Sequence, residues 1–91
     1  MDKALSNISE EEIQNYHSAI GLHVKHLRER KGISQLDIAL AIGIKSVAFY
    51  SNCENSKNNK HFNTEHLYKI CRILGVSLSG FFKGLEQDLL F

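Results

Sequence analysis

"LRERKGISQLDIALAIG", residues 27–43, holds the end of one helix, a turn, and the whole of a second helix. Lys31-Gly32 closes the first run, and Ser34 followed three residues later by Asp37 opens the next, with a hydroxyl able to accept a backbone N–H that a helix start leaves unpaired. Upstream, Ile13, Tyr16, Ile20, Val24 and Leu27 recur every three or four residues behind a second capping pair, Ser9 and Glu12. This predicts one long helix, or two meeting near Gly21. Downstream, Ile38, Ala39 and Ile42 form an inward stripe that stops at Gly43, so the second helix is about two turns long.

Beyond Gly43, Ser46 is placed to cap a third helix from Val47 to about Asn55, with Tyr50 and Cys53 on one face. Residues 55–63, NSKNNKHFN, read as a loop. A fourth helix starts at Asn63 or Thr64 with Glu65 near the positive end of its dipole, and carries Leu67, Ile70, Cys71 and Leu74 up to Gly75. Ser77 then caps a last short helix bearing Leu78, Phe81 and Phe82. Proline is absent and no segment alternates in the manner of a half-buried strand. The expected fold is all-α: a compact five-helix orthogonal bundle extended at the N-terminus. Residues 1–16 read as an acidic arm or an extension of the first helix, 17–84 as the domain, and 85–91 as an apolar tail.

Ninety-one residues at 43% hydrophobic composition allow one core. No run reaches the length of a membrane span, and the start MDKALSNISEEE lacks the basic and apolar regions of a secretory signal, so a cytoplasmic location is expected. Cys53 and Cys71 stand 18 apart in apolar surroundings without a CxxC spacing, which favours buried thiols over a disulfide framework. The sequence gaps among Cys53, His61, His66 and Cys71 are too long for a structural zinc site. His66 and Cys71, five apart on one helix, point in different directions. No metal and no cofactor is expected, and the absence of GxSxG and of GxxxxGK[ST] argues against an enzyme. The net charge of +1 hides an uneven distribution: residues 1–22 are acidic, 23–60 carry seven Lys or Arg against three acids, and 61–91 are balanced. A basic middle section points to a face for a polyanion.

Taken together, LRERKGISQLDIALAIG, NCENSK and LYKICRILGVSLSGFF resemble the lambda-repressor and Cro-like (Xre) helix-turn-helix family, over about Ile20 to Phe82. The resemblance implies a lambda-repressor-like bundle in which Arg28 pairs with Glu54, locking helix 1 to the recognition helix, while Gln35 lies against a DNA phosphate at the start of helix 2. It also implies that Ala39 and Gly43 are small so that helices 2 and 3 can cross closely, and that Val76, Leu78, Phe81 and Phe82 belong to the core and last helix. The chain departs from the pattern in one respect: Glu54 lies 11 residues after Gly43, one more than the family usually has. Absorbing the extra residue in Ile44-Lys45-Ser46 turns Tyr50 and Cys53 inward. Refusing it turns Phe49 inward and buries the Asn52 amide, which costs a few kcal/mol when unpaired, so the insertion is preferred. The usual glycine after the helix is replaced by Ser56, leaving Asn55 as the residue expected to adopt the left-handed conformation.

On this register the base-reading face is Ser46, Val47 and Ala48, then Ser51 and Asn52 one turn later, side chains suited to adenine edges and thymine methyl groups. With no arginine to read guanine, an A·T-biased half-site is expected. Gln35, Lys45, Asn55, Lys57, Asn59 and Lys60 are the expected phosphate contacts. The partner is then double-stranded operator DNA, and the expected function is a small transcriptional regulator acting as a repressor. Alternatives are an antitoxin or interaction module of the same fold with a cognate protein partner, and a restriction-modification controller. Because one module makes few base contacts, a homodimer is expected, with Phe81, Phe82, Leu85, Leu89, Leu90 and Phe91 at its interface.

Overall fold

A computed structural model describes residues 7–87 and contains five helices in that span: α1 Glu10–Arg30, α2 Gln35–Ala41, α3 Val47–Asn55, α4 Thr64–Leu74 and α5 Leu78–Leu85. Each starts on a side chain that the sequence supplies. The hydroxyls of Ser9, Ser34, Ser46 and Ser77 accept from the backbone N–H three residues on, and Asn63 does the same for α4. At Asn63 the bond is reciprocated, because His66 Nδ1 accepts from the Asn63 N–H at 3.2 Å and closes a capping box. His66 is therefore spent on a helix start.

α1 runs unbroken through Gly21 and, at about 1.5 Å per residue, is roughly 31 Å long. It is the spine against which α3, α4 and α5 pack, while α2 lies against α3 and α4. The core gathers Ile20 and Val24 of α1, Ile38 and Ala39 of α2, Tyr50 and Cys53 of α3, Phe62 of the following loop, Leu67, Ile70, Cys71 and Leu74 of α4, and Phe81 and Leu85 of α5. Both cysteines are buried and free.

Three expectations are corrected here. Gly43 was expected to be small for a close helix crossing, but a Cβ there would meet nothing within 4 Å. Its requirement is the backbone, which turns out of α2 at φ 85°, a conformation that favours glycine. Ala39, fully buried, does fill the inward position at that crossing. The left-handed residue after α3 is Ser56 (φ 54°), with Asn58 and Asn59 also left-handed, whereas Asn55 remains helical. Phe81 and Leu85 are only 1% exposed, so they are core residues of α5 and not available to a dimer interface. Leu89, Leu90 and Phe91 lie outside the described residues, and Phe82 is half-buried against the core.

Candidate nucleic-acid interface

The orientation of α3 is set from below by one buried carboxylate. Glu54, 2% exposed, receives Arg28 Nε on Oε2 at 2.8 Å and Arg28 Nη2 on Oε1 at 2.9 Å, a two-pronged pair between α1 and α3. Gln35 Nε2 donates to Oε1 at 3.0 Å and the Tyr50 hydroxyl to Oε2 at 2.7 Å. The remaining guanidinium nitrogen, Nη1, donates to the Ile33 carbonyl in the turn between α1 and α2 at 2.8 Å. A single acid thus ties α1, α2 and α3 together, and every charged group in the cluster is hydrogen-bonded, as burial of charge requires.

The electrostatics follow from that geometry. Burial alone would raise the Glu54 carboxyl, but the donors from Arg28, Gln35 and Tyr50 outweigh it and hold it below its ordinary value. Hydrogen bonding to Glu54 raises Arg28 further, despite its burial. Tyr50 is pushed far above a normal phenol, first by burial and then by its bond to the ionised carboxylate. Tyr50 therefore stays protonated, and a donor to Glu54, through the neutral range.

A second device brings α1 and α3 together. A Cβ built on Gly21 would stand 2.2 Å from the Glu54 carbonyl oxygen and 3.0 Å from that of Cys53, so the backbone of α1 touches the end of α3 directly. No other residue type fits there without moving a helix.

With Tyr50, Cys53 and Glu54 turned inward, the rest of α3 faces out. Ser46, Val47 and Ala48 are exposed, and Ser51 and Asn52 are half-buried one turn on. The extra residue is thus absorbed before α3, and Asn52 is outside the core; Phe49 packs only partly against it. Lys45, Asn55, Lys57, Asn59 and Lys60 are all exposed, with Lys57, Asn59 and Lys60 in the loop after α3. Asn55 also donates to Ser51 Oγ at 3.3 Å. Gln35 is half-buried, and its amide is shared with Glu54. A family model described as helix-turn-helix matches residues 24–81, well over half of the chain. The chain belongs to the Xre and lambda-repressor-like helix-turn-helix family. No curated protein and no solved structure matches it.

Membership in this family makes α2 and α3 the helix-turn-helix pair of a DNA-binding regulator domain. Among the described residues no helix is long and apolar enough to cross a membrane. Three features of the helix-turn-helix domain were not found from the sequence: the Tyr50 hydroxyl on Glu54, the backbone contact at Gly21, and contacts from the start of α1 to the loop after α3. The second had a visible signal, a glycine inside an otherwise continuous helical pattern, which generally has a packing reason, and so did the first, in the i,i+4 spacing of Tyr50 and Glu54 on one helix.

Proposed function

We propose that the protein is a sequence-specific transcriptional repressor, working in the cytoplasm as a homodimer on double-stranded operator DNA. The N-terminal end of α3 enters the major groove. The observation that carries this reading is the exposed row Ser46, Val47 and Ala48, with Ser51 and Asn52 above it, on a helix whose opposite face is fixed by the Arg28–Glu54 cluster. These side chains offer an amide for the adenine edge, hydroxyls that donate or accept, and methyl groups for thymine. Lys45, Lys57, Asn59, Lys60 and Asn55 flank the row as phosphate contacts. Gln35 joins them with whatever donor capacity its bond to Glu54 leaves.

Selection from random duplexes tests the proposal and is expected to return pseudo-palindromes with A·T-rich half-sites. Asn52→Ala should lose about 1–3 kcal/mol of discrimination at one base position per half-site. Lys57→Ala should weaken all duplexes alike and lower the slope of log affinity against log salt by about 1 per half-site. A variant at 52 that binds every sequence equally less well would remove Asn52 from base reading.

A protein partner is the second reading, favoured by an open cleft lined by Ala41, Tyr68, Lys69, Arg72 and Ile73, beside a helix α2 that leaves Leu36 and Leu40 exposed. Retention of a stoichiometric protein together with failure to shift any duplex at low salt would favour this reading over the repressor.

A further inference from the structure

Two side chains near the start of α1 hold the loop after α3 at both of its ends. Gln14 Nε2 donates to Ser56 Oγ at 3.0 Å and lies 3.4 Å from the Ser56 carbonyl oxygen, while the His17 ring stacks on His61 with centroids 3.7 Å apart and planes 12° from parallel. Residues 14 and 17 are three apart and so share one face of the helix. Between the two holding points the chain runs through Lys57, Asn58, Asn59 and Lys60, all exposed, with left-handed backbone at Ser56, Asn58 and Asn59. Asn takes such backbone readily, whereas at Ser56 it is uncommon and persists where the surroundings support it, here with the Gln14 amide on the Ser56 side chain. Gln14 and His17 both precede the segment that matches the family, residues 24–81.

We propose that Gln14 and His17 are positioning residues, a brace by which the first turns of α1 fix the loop 57–60 in the conformation that meets the phosphate backbone. The phosphate role of the loop rests on the DNA-binding reading above; the brace itself does not. His17 touches no ligand and acts through His61.

The brace is sensitive to protons. His17 Nδ1 is buried with no hydrogen-bond partner, so a proton placed there finds no acceptor. Burial, and then the neighbouring His61, lower His17 below an ordinary histidine. The other charged or titratable groups on the elements around the pair include Glu10, Glu11, Glu12 and Tyr16 in the first turns of α1, Lys57 and Lys60 in the loop, Tyr50, Cys53 and Glu54 on α3, and Glu65, His66 and Lys69 on α4. Glu54 is committed to Arg28, Glu65 to Lys69, and Lys60 adds positive charge near Cys53. A lowered folded value means that the open loop takes up protons first. The contribution of His17 to the brace is therefore complete above about pH 6.5 and is lost as the pH falls through its lowered folded value.

The test uses the full chain in three forms besides wild type: Gln14→Ala, Gln14→Ala/His17→Ala, and His17→Phe, which keeps a stacking ring but cannot take a proton. Backbone amide order at residues 57–60, measured by NMR relaxation without DNA, should fall in the double variant at neutral pH and in wild type near pH 5.5. It should persist in His17→Phe at both. On the selected duplex and on a random one, the double variant should bind about tenfold more weakly to both, with a flatter salt dependence. Unchanged amide order in the double variant, or the same acid loosening in His17→Phe as in wild type, would overturn the brace. Should the loop loosen as described while affinity stays constant, its part in DNA binding is refuted. If wild type binds no duplex, the DNA-binding reading fails while the relaxation data still decide whether the brace exists.

Discussion

Gly21→Ala is expected to cost more than about 3 kcal/mol of folding stability and to abolish DNA binding at concentrations that saturate wild type. Two effects oppose each other at this position. Alanine is the better helix former by about 1 kcal/mol, which would favour the variant if α1 stood alone. Against that, the new methyl carbon would lie 2.2 Å from the Glu54 carbonyl oxygen and 2.8 Å from its carbonyl carbon. Both are backbone atoms of α3, so no rotamer change relieves the contact and the helices must separate by more than 1 Å. Separation stretches the Arg28–Glu54 pair at the same place, which adds to overpacking that costs about 1–3 kcal/mol on its own. A domain of this size has roughly 5–10 kcal/mol in total. Gly84→Ala is the control: its Cβ would meet only the His23 ring, at 3.2 Å, and a side chain can give way. Its change should stay within about 1 kcal/mol, since the gain in helix propensity offsets the displaced ring. Urea midpoints of the two variants measure the contrast, and a Gly21→Ala midpoint equal to that of wild type would show that α1 and α3 are not held in backbone contact.

The same glycine shows what a single sequence can and cannot disclose. Helix starts were legible because their signals are local: Ser9, Ser34, Ser46 and Ser77 each cap the helix they precede, and apolar spacing marked the inward faces of α2, α3 and α4. The register of α3 was legible for a physical reason as well, since the alternative buried an amide. What stayed hidden depends on distances across the fold. Nothing in the spacing of residues 21 and 54 says that two backbones meet there; the Tyr50 hydroxyl on Glu54, by contrast, spans one helical turn, and its i,i+4 spacing was a local signal left unread. Gly43 shows the reverse error, a close-packing role assigned where the backbone conformation is what matters. The apolar residues of α5 misled in another way. Phe81 and Leu85 were assigned to a dimer interface because apolar spacing does not say which element covers a residue; in the fold both are buried, and the His23 ring of α1 packs on Phe81 at 4.7 Å.

Glu54→Ala should destabilise the protein by about 3–5 kcal/mol, the range for removing one partner of a buried ion pair. The loss is large because of what remains: the Arg28 guanidinium, the Tyr50 hydroxyl and the Gln35 amide would all be left without the acceptor they now share. Acid should act through the same site. The folded carboxyl is held below its unfolded value of 4.5, so the unfolded chain takes up the proton first; the contribution is complete above about pH 4.5 and is lost as the pH falls through the folded value. Replacing the cluster instead of breaking it separates stability from function. In Arg28→Met/Glu54→Met/Tyr50→Phe neither the guanidinium nor the phenol is stranded, and only the part-buried Gln35 amide and Ile33 carbonyl lose a partner; most of the stability lost in Glu54→Ala should return, because apolar residues of similar volume commonly match a buried ion pair. DNA affinity should not return with it. Met side chains lack the fixed geometry with which two hydrogen bonds from one guanidinium set the angle of α3, and base readout tolerates little error in that angle. Denaturation midpoints and duplex titrations on the same two variants test both halves. Full recovery of affinity in the triple variant would show that packing alone orients α3 and that the cluster serves only the fold.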